Sequence, residues 1–243
     1  MNKTVLITGA SRGIGKETAR IFAASGCNVI INYLKSEKKS NDFVCELTNK
    51  KLSAIAIKAD VSNTFETQNM IDKIIEKFGK IDILVNNAGV SLYKQIQDTT
   101  YEDFCKIMNV NVWGVFNCCK LVSPHMINKK SGIIINVSSI WGEQGASCEV
   151  AYSTSKAAII GFSKALKKEL EPSNISVEYI TPGFVRTDMT KVFINGKINK
   201  ELGEVIAPSQ VAHEIFKIFC KNTKDAKTKF LNLETEQSKQ TKV

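Results

Sequence analysis

The sequence predicts one α/β domain in which helices cover both faces of a doubly wound, mostly parallel sheet. Short apolar runs rich in Val and Ile alternate with amphipathic stretches, and this alternation is typical of repeated βα units. No linker rich in Pro, Ser or Gly separates these units, so we expect a single domain. A chain of 243 residues is also long enough to bury a full hydrophobic core.

The hydrophobic periodicity predicts the positions of the elements. Strands are expected near residues 4–8, 28–33, 53–58, 81–85, 132–137 and 175–180, with helices between them that include a long one around 101–129 and another from about 151 to 170. A seventh strand is expected near 228–233, so the domain would span 1–233 and leave a polar tail at 234–243. Right-handed crossovers between parallel strands would place ligands beyond the carboxyl ends of the strands.

A glycine-rich turn connects the first predicted strand to the first helix. It runs from Thr8 to Gly15 and contains Gly9 and Gly13 between them. Glycines let a pyrophosphate approach the backbone, and the start of a helix offers unpaired N–H groups and the positive end of the dipole. The turn therefore indicates a phosphate site, although a tight βα turn without a ligand would use the same residues.

Tyr152 and Lys156 are four residues apart in a predicted helix, so their side chains share one face. A nearby ammonium favours the phenolate and is expected to lower the pKa of Tyr152. A tyrosine tuned in this way exchanges a proton with a carbonyl or alcohol oxygen. Ser139 lies thirteen residues earlier, at the end of a predicted strand. Taken alone, the Tyr-Lys pair would favour an ordinary surface helix, because this spacing is common by chance.

The order of the motifs resembles that of the short-chain dehydrogenase/reductases. The motifs are Thr8 to Gly15, Asp60-Val61, Asn86-Asn87-Ala88-Gly89, Asn111, Ser139, Tyr152-x-x-x-Lys156, and Pro182-Gly183 with Thr187. The resemblance covers residues 4 to about 190 and implies a Rossmann-type fold, hydride transfer between a nicotinamide cofactor and a ketone, and a substrate lid near 183–207. The C-terminal Asp-Gly-Gly of many relatives is missing from this sequence.

The resemblance also implies a role for each of four catalytic residues. Ser139 would donate a hydrogen bond to the substrate carbonyl, and Tyr152 would protonate that oxygen. Lys156 would bind the ribose of the nicotinamide and lower the pKa of Tyr152. Asn111 would help to position a water chain that leads to Lys156.

Two of these assignments have a neighbouring alternative. Asn109 is two residues from Asn111, but Asn111 fits the family pattern Asn-x-x-Gly. Ser138 precedes Ser139, and the two serines would also suit a simple cap at the end of a strand. The spacing to Tyr152 favours Ser139.

The end of the second predicted strand favours NADPH over NADH. NAD sites usually place an acidic residue there to bind the ribose 2′-hydroxyl, and this chain has none. Arg12 and Lys35 would attract a 2′-phosphate, with hydrogen bonds from Asn32 and Ser36, although each cation would also suit a solvent-facing position. The full set of expected cofactor contacts is Gly9, Ser11, Arg12, Gly13, Ile14, Gly15, Asn32, Tyr33, Lys35, Ser36, Asp60, Val61, Asn87, Ala88, Gly89, Tyr152, Lys156, Pro182, Gly183, Val185 and Thr187.

The motifs leave the substrate open. The resemblance is closest to reductases of 3-oxoacyl groups on acyl carrier protein, and the net charge of +9 suits an acidic carrier. The loop from Trp141 to Glu149 instead resembles that of reductases acting on the aminopentanone modification of elongation factor P. There Glu143 or Glu149 would accept a hydrogen bond from the substrate amine, unless both simply face solvent. A non-catalytic nucleotide-binding regulator is the alternative of a different class.

The composition bears on location and partners. No apolar run reaches the length of a membrane span, and no aromatic-basic stripe indicates binding to nucleic acid. The two histidines have no ligand pattern, and the seven cysteines lack a Cys-x-x-Cys motif, so we expect buried reduced thiols and no metal site. We expect a cytoplasmic enzyme and, by resemblance, a homo-oligomer, most often a tetramer.

Overall fold

A computed structural model describes residues 3–191 and 205–223. The strands are β1 Thr4–Ile7, β2 Asn28–Tyr33, β3 Ala54–Lys58, β4 Ile83–Asn86, β5 Gly132–Val137 and β6 Ile175–Ile180. The α-helices are α1 Gly13–Ala24, α2 Glu37–Asn49, α3 Thr64–Phe78, α4 Tyr101–Met108, α5 Gly114–Lys129, α6 Trp141–Gln144, α7 Val150–Leu170 and α8 Pro208–Asn222. The seventh strand expected near 228–233 and the tail at 234–243 lie outside the described residues.

The six strands form one sheet in the order β3-β2-β1-β4-β5-β6, and all neighbouring pairs are parallel. The chain therefore winds outwards from β1 on one side and from β4 on the other. The prediction of a doubly wound sheet is confirmed. A crevice for ligands is expected beyond the carboxyl ends of β1 and β4, where the winding direction reverses.

Two hydrophobic layers cover the sheet. Val5 and Ile7 of β1 belong to the layer with α1, α2 and α8, whereas Leu6 belongs to the opposite layer with α3, α5 and α7. The first layer includes Phe22 of α1 and Phe216 of α8, whose ring centroids are 5.2 Å apart. Burial on both faces explains why β1 is an uninterrupted apolar run rather than an alternating one.

The long helix expected over 101–129 is divided in two. A π-helical turn, Asn109–Trp113, separates α4 from α5. The side chain of Asn111 is buried in this turn, whereas Asn109 is exposed. A π turn of this kind shifts the helical register by one residue, which the hydrophobic pattern of a long helix does not reveal.

The two ends of the predicted lid lie side by side. Val185 and Ile206 form a parallel bridge, in which the Arg186 N–H donates to the Ile206 carbonyl at 2.9 Å. Residues 192–204, the middle of the predicted lid, lie outside the described residues. In the described part of the chain, no helix combines the length and the apolar character needed to cross a membrane.

Candidate active site

The glycine turn lies at the carboxyl end of β1 and is held by side chains from neighbouring strands. The Gly9 N–H donates to the Asn32 side-chain oxygen at 3.2 Å. The side-chain nitrogen of Asn87 donates to the carbonyls of Thr8 and Gly9 at 3.0 and 3.2 Å. The Thr8 hydroxyl accepts from the backbone N–H groups of Asn87 and Ala88. These bonds between distant segments define the shape of the turn.

The turn has no room for side chains at its glycines. Gly9 and Gly13 have φ values of 63° and 57°, in the left-handed region that favours glycine. A Cβ on Gly9 would lie 2.9 Å from the Cα of Ala88, and one on Gly15 would lie 2.8 Å from the Gly9 carbonyl oxygen. The side chain of Arg12 does not cap α1, so the first N–H groups of that helix remain for a ligand. This arrangement fits a pyrophosphate.

Asn32 shapes the turn and is not positioned as a contact for a 2′-phosphate. Its side-chain oxygen accepts from Gly9, and its side-chain nitrogen donates to the Ala59 carbonyl at 3.0 Å. Tyr33 is buried as well, and its burial raises the pKa of the phenol. The expected hydrogen bond from the Asn32 side chain to the cofactor does not fit this structure, because the side-chain amide is already bonded to Gly9 and Ala59. Ser36 is half-buried immediately before α2.

A weakly basic cleft of about 580 Å³, lined by five cationic and four acidic side chains, lies beside the glycine turn. Arg12 lines it, and its guanidinium lies 3.5 Å from the Asp188 carboxylate in a partly exposed pair of little strength. Lys35, which the sequence analysis chose as the second cation, is exposed and does not line the cleft. The other cations that line the cleft are Lys16, Lys39, Arg186 and Lys191. Spacing along the chain does not show which face of α2 turns towards the glycine turn, so the sequence does not distinguish Lys39 from Lys35.

Ser139, Tyr152 and Lys156 come together beyond the carboxyl end of β5. The Ser139 hydroxyl lies near enough to the Tyr152 phenol to lower its pKa. The Lys156 ammonium donates to the Val137 carbonyl at 2.9 Å and lies 5.6 Å from the centroid of the Tyr152 ring. Ser139 and Lys156 are buried, and Tyr152 is half-buried. The site thus combines two hydroxyls and one cation in a poorly hydrated environment.

Burial is the largest influence on the pKa values of Tyr152 and Lys156. It raises the pKa of Tyr152 to about 12, while the nearby Ser139 hydroxyl has a smaller, opposite effect. It lowers the pKa of Lys156 to about 8. In this structure the cost of placing a phenolate away from water outweighs the lowering of the Tyr152 pKa that is expected from Lys156. Tyr152 therefore carries its proton at neutral pH.

The two neighbouring serines make different hydrogen bonds. The Ser138 hydroxyl donates to the Lys156 carbonyl at 2.7 Å and so anchors α7 to the end of β5. The Ser139 hydroxyl accepts from the Trp141 N–H at 3.2 Å. Its own proton remains available for Tyr152 or for a substrate oxygen. These bonds favour Ser139 over Ser138 as the residue that contacts substrate.

Asn111 joins the segment after β4 to α7. Its side-chain nitrogen donates to the Val90 carbonyl and to the Ser155 hydroxyl, both at 2.9 Å, and its side-chain oxygen accepts from the Val90 N–H at 2.8 Å. A Cβ on Gly89 would lie 3.3 Å from that oxygen and 3.6 Å from the Lys156 ammonium. The Asn111 side chain therefore positions the wall of the site through three hydrogen bonds of its amide, and its role in a water chain to Lys156 stays a prediction.

The remaining expected cofactor residues follow β3, β4 and β6 at the same edge of the sheet. The Asp60 carboxylate accepts from the Ser62 N–H at 2.9 Å. The Thr187 side chain lies 3.3 Å from the position of a Cβ on Gly13, so the start of the predicted lid adjoins the glycine turn. The residues in this group are Asp60, Val61, Asn87, Ala88, Gly89, Pro182, Gly183, Val185 and Thr187.

The two glutamates of the predicted substrate loop occupy different environments. Glu143 is exposed on α6, whereas Glu149, immediately before α7, is only 7% exposed. The Ser91 hydroxyl donates to the Glu149 carboxylate at 2.8 Å, and burial raises the pKa of this carboxyl group. Trp141 is half-buried at the start of α6. The solvent-facing interpretation therefore suits Glu143 and is wrong for Glu149.

The cysteines are divided between the core and the surface. Cys118 and Cys119 of α5 are buried, and burial raises the pKa of the Cys118 thiol to about 12. Cys27 and Cys220 are buried as well, whereas Cys105 and Cys148 are half-buried and Cys45 is exposed, so the expectation of buried thiols suits four of the cysteines. Among residues 3–191 and 205–223, no group of three or more His, Cys, Asp or Glu side chains is arranged to hold a metal ion.

Comparison with known proteins identifies the family. A family model described as short chain dehydrogenase matches residues 3–197. This chain belongs to the short-chain dehydrogenase family. The predicted family is confirmed, and the prediction of an oxidoreductase is confirmed with it.

Curated relatives of this short-chain dehydrogenase include several 3-oxoacyl-[acyl-carrier-protein] reductases. The protein of that name from Synechocystis is 41% identical over 189 residues, which cover 78% of this chain and 76% of the relative. The one from Staphylococcus epidermidis is 39% identical over 190 residues, or 78% of each chain. The one from Chlamydia trachomatis is 37% identical over 220 residues, or 87% of this chain and 88% of the relative.

Solved structures of other family members share the fold. A short chain dehydrogenase from Burkholderia cenocepacia in complex with NADP has a TM-score of 0.81 and 31% identity, and the match covers 88% of each chain. A dehydrogenase/reductase from Sinorhizobium meliloti also has a TM-score of 0.81, with 30% identity over 88% of this chain and 86% of that one. The similarity therefore extends over most of this short-chain dehydrogenase.

Proposed function

We propose that this short-chain dehydrogenase uses NADPH to reduce a ketone, and that the ketone is a 3-oxoacyl thioester on acyl carrier protein. The observation that carries the proposal is the buried group of Ser139, Tyr152 and Lys156 beside a glycine turn shaped for phosphates. Relatives named 3-oxoacyl-[acyl-carrier-protein] reductase, 37% to 41% identical, support the substrate. The net charge of +9 suits an acidic carrier protein.

The residues present fit NADP(H). The glycine turn and the start of α1 would hold the pyrophosphate, and Arg12 with Lys39 would hold the 2′-phosphate. Thr187 would bind the carboxamide, and Lys156 the ribose next to it. When bound, the cofactor supplies the hydride that reduces the carbonyl carbon. NADP in the Burkholderia relative supports the choice of this dinucleotide.

The catalytic side chains orient and protonate the carbonyl oxygen. Ser139 donates a hydrogen bond to it, since the Ser139 oxygen already accepts from Trp141. Tyr152 transfers its proton to the same oxygen as negative charge develops there, so the C=O bond becomes C–OH. The Lys156 ammonium lies close enough to stabilise the phenolate that remains. A phenol that holds its proton at neutral pH is ready to protonate the carbonyl oxygen of a ketone.

Two neighbouring aromatic residues support a homo-oligomer. Trp113 and Phe116 are about two-fifths exposed, and their stacked rings have centroids 5.4 Å apart. Their exposure favours the interface, because an apolar pair of this size is more stable when a partner covers it.

The test is an assay of purified protein with acetoacetyl groups on acyl carrier protein. We expect NADPH oxidation that depends on this substrate and proceeds more slowly with NADH. Tight NADPH binding without reduction of this substrate or of a generic β-keto ester would support the non-catalytic regulator instead. If the protein reduces simple ketones but not the carrier-bound acetoacetyl group, ketone reduction is supported and the proposed substrate is rejected.

A further inference from the structure

We infer that the Asp188 carboxylate competes with the 2′-phosphate of NADPH for the guanidinium of Arg12, and so limits the preference of this short-chain dehydrogenase for NADPH over NADH. The inference rests on the proposed binding of the 2′-phosphate by Arg12 and Lys39, and it does not depend on which ketone is reduced. Asp188 follows Thr187 at the start of the predicted lid, and the proposed reaction gives it no role.

The Asp188 carboxylate lies among three cations of the cleft beside the glycine turn. One of its oxygens is 3.5 Å from a guanidinium nitrogen of Arg12, and the other is 2.7 Å from the Lys191 ammonium. Lys191 has the largest part in holding the pKa of Asp188 below its ordinary value, and Arg12 and Lys39 lower it as well. The carboxylate is therefore ionised at neutral pH, and its charge acts on both cations proposed for the 2′-phosphate.

Asp188 is the acidic residue of the cleft that pairs with Arg12. Glu17 and Glu46, which also line the cleft, form ion pairs with Arg20, and Arg20 does not line it. Five cationic and four acidic side chains give the cleft a formal charge of +1, which the loss of one carboxylate would raise to +2. The charge of Asp188 is therefore a large part of the charge that an incoming phosphate meets.

A purely structural role for the Asp188 carboxylate is not supported. Aspartate side chains often stabilise a turn by accepting from its backbone N–H groups. The Thr190 hydroxyl closes this turn instead, since it accepts from the Thr187 N–H at 2.9 Å and donates to the Val185 carbonyl at 2.6 Å. Among the described residues, the Asp188 side chain bonds to two cations and to no backbone N–H. The turn therefore holds the carboxylate in the cleft without needing it for its own backbone.

The pair between Arg12 and Asp188 is weak enough for a phosphate to replace. Their side chains are 61% and 33% exposed, and water screens such a pair strongly. A phosphate has a larger negative charge than a carboxylate and binds a guanidinium through two parallel hydrogen bonds. The carboxylate therefore gives way to NADPH, but its lost contact and its repulsion of the phosphate weaken binding. NADH has no phosphate at this position and does not compete with Asp188.

The test compares adenosine 2′,5′-bisphosphate with adenosine 5′-monophosphate, which differ only in the 2′-phosphate. Calorimetric titration of the full chain gives a Kd for each, and the wild type should bind the bisphosphate more tightly. Asp188→Asn keeps the size of the side chain and removes its charge. We expect this variant to lower the Kd for the bisphosphate by about three- to tenfold and to leave the Kd for the monophosphate unchanged. The Kd values for NADPH and NADH should follow the same pattern.

Three further variants separate this competition from a general change in charge. Asp42→Asn removes an acid that lines the same cleft without pairing with Arg12, and should lower the Kd for the bisphosphate less than Asp188→Asn does. Glu169→Gln, exposed on α7, should leave both Kd values unchanged. When Arg12 is already Ala, Asp188→Asn should improve binding by about twofold or less, because the group that is competed for is absent. Thermal unfolding shows that each variant is folded, and Asp188→Ser replaces Asp188→Asn if the latter is not.

The outcomes distinguish this inference from the proposed function. If Asp188→Asn leaves the Kd for the bisphosphate unchanged or raises it, Asp188 does not compete for Arg12, and the inference is rejected while NADPH-dependent ketone reduction stands. If Asp42→Asn lowers that Kd equally, the effect belongs to the total charge of the cleft, and the inference is again rejected. If neither the wild type nor Asp188→Asn binds the bisphosphate more tightly than the monophosphate, the 2′-phosphate site of the proposed function fails together with the inference.

Discussion

At the scale of single residues, Tyr152→Phe removes one hydroxyl and leaves the surrounding packing in place. We expect kcat to fall by about 10²–10⁴-fold, because the variant has no proton to transfer to the carbonyl oxygen. NADPH binding should change little, since the phosphate contacts lie in the glycine turn. Stopped assays and a fluorescence titration measure the two quantities. Tyr101→Phe, at a residue 78% exposed, is the control and should be fully active; normal turnover by Tyr152→Phe would reject the mechanism.

The pH profile reports on Lys156. Burial lowers its pKa to about 8, so the ammonium is present below that pH and lost above it. We expect kcat/KM for ketone reduction to be level below pH 8 and to fall above it, by up to about tenfold per pH unit. Tyr152, with a pKa of about 12, stays protonated through this range and cannot cause the fall. A profile that stays level until the ordinary lysine value of 10.5 would show that Lys156 is not desolvated in the working enzyme.

Arg12 is expected to decide the choice of dinucleotide. Arg12→Ala removes a charged contact to the 2′-phosphate, worth roughly 1–3 kcal/mol, so the Kd for NADPH should rise about ten- to a hundredfold. The Kd for NADH should stay the same, because NADH has no phosphate there. Lys35→Ala is the informative companion, since Lys35 does not line the basic cleft. An equal loss in both variants would place the 2′-phosphate at the end of β2, as the sequence analysis expected.

At the scale of elements, the π turn between α4 and α5 is held by the side chain of Asn111. Asn111→Ala leaves both backbone groups of Val90 and the Ser155 hydroxyl without this partner. We expect the free energy of unfolding to fall by about 1–3 kcal/mol for each buried group that stays unpaired. Asn109→Ala, two residues away and exposed, is the matched control and should change it by no more than about 0.5 kcal/mol. Equal effects in urea unfolding would contradict the role given to Asn111.

At the scale of the whole molecule, Trp113 and Phe116 predict self-association. Replacing both with Glu places two charges in the proposed interface and should shift the protein to a smaller assembly. Light scattering at micromolar concentration measures the mass. Phe65→Glu is the control, because Phe65 is 74% exposed and belongs to a different helix, α3. A wild-type monomer at that concentration would reject the homo-oligomer.

The features that the sequence determined by itself are local. Six strands were predicted to within about two residues, because apolar runs of that length bounded by turn residues have few other structures. The glycine turn is predicted from three local features, which are the strand before it, the spacing of its glycines and the start of the helix after it. The spacing along the chain predicts Ser139, Tyr152 and Lys156 as a group. Tyr152 and Lys156 share one face of a helix, and Ser139 lies at the end of a strand, so this spacing brings the three side chains together.

Other features were decided by segments far apart in the chain. The high pKa of Tyr152 comes from burial by the whole fold, and no spacing to Lys156 reports that. The side-chain amide of Asn32 is already hydrogen-bonded, because Gly9, which follows β1, and Ala59, which follows β3, both bond to it. The environment of Glu149 depends on Ser91, 58 residues earlier. Burial and long-range hydrogen bonds depend on which surfaces the tertiary structure brings together, so only the folded chain distinguishes a buried carboxylate from an ordinary loop glutamate.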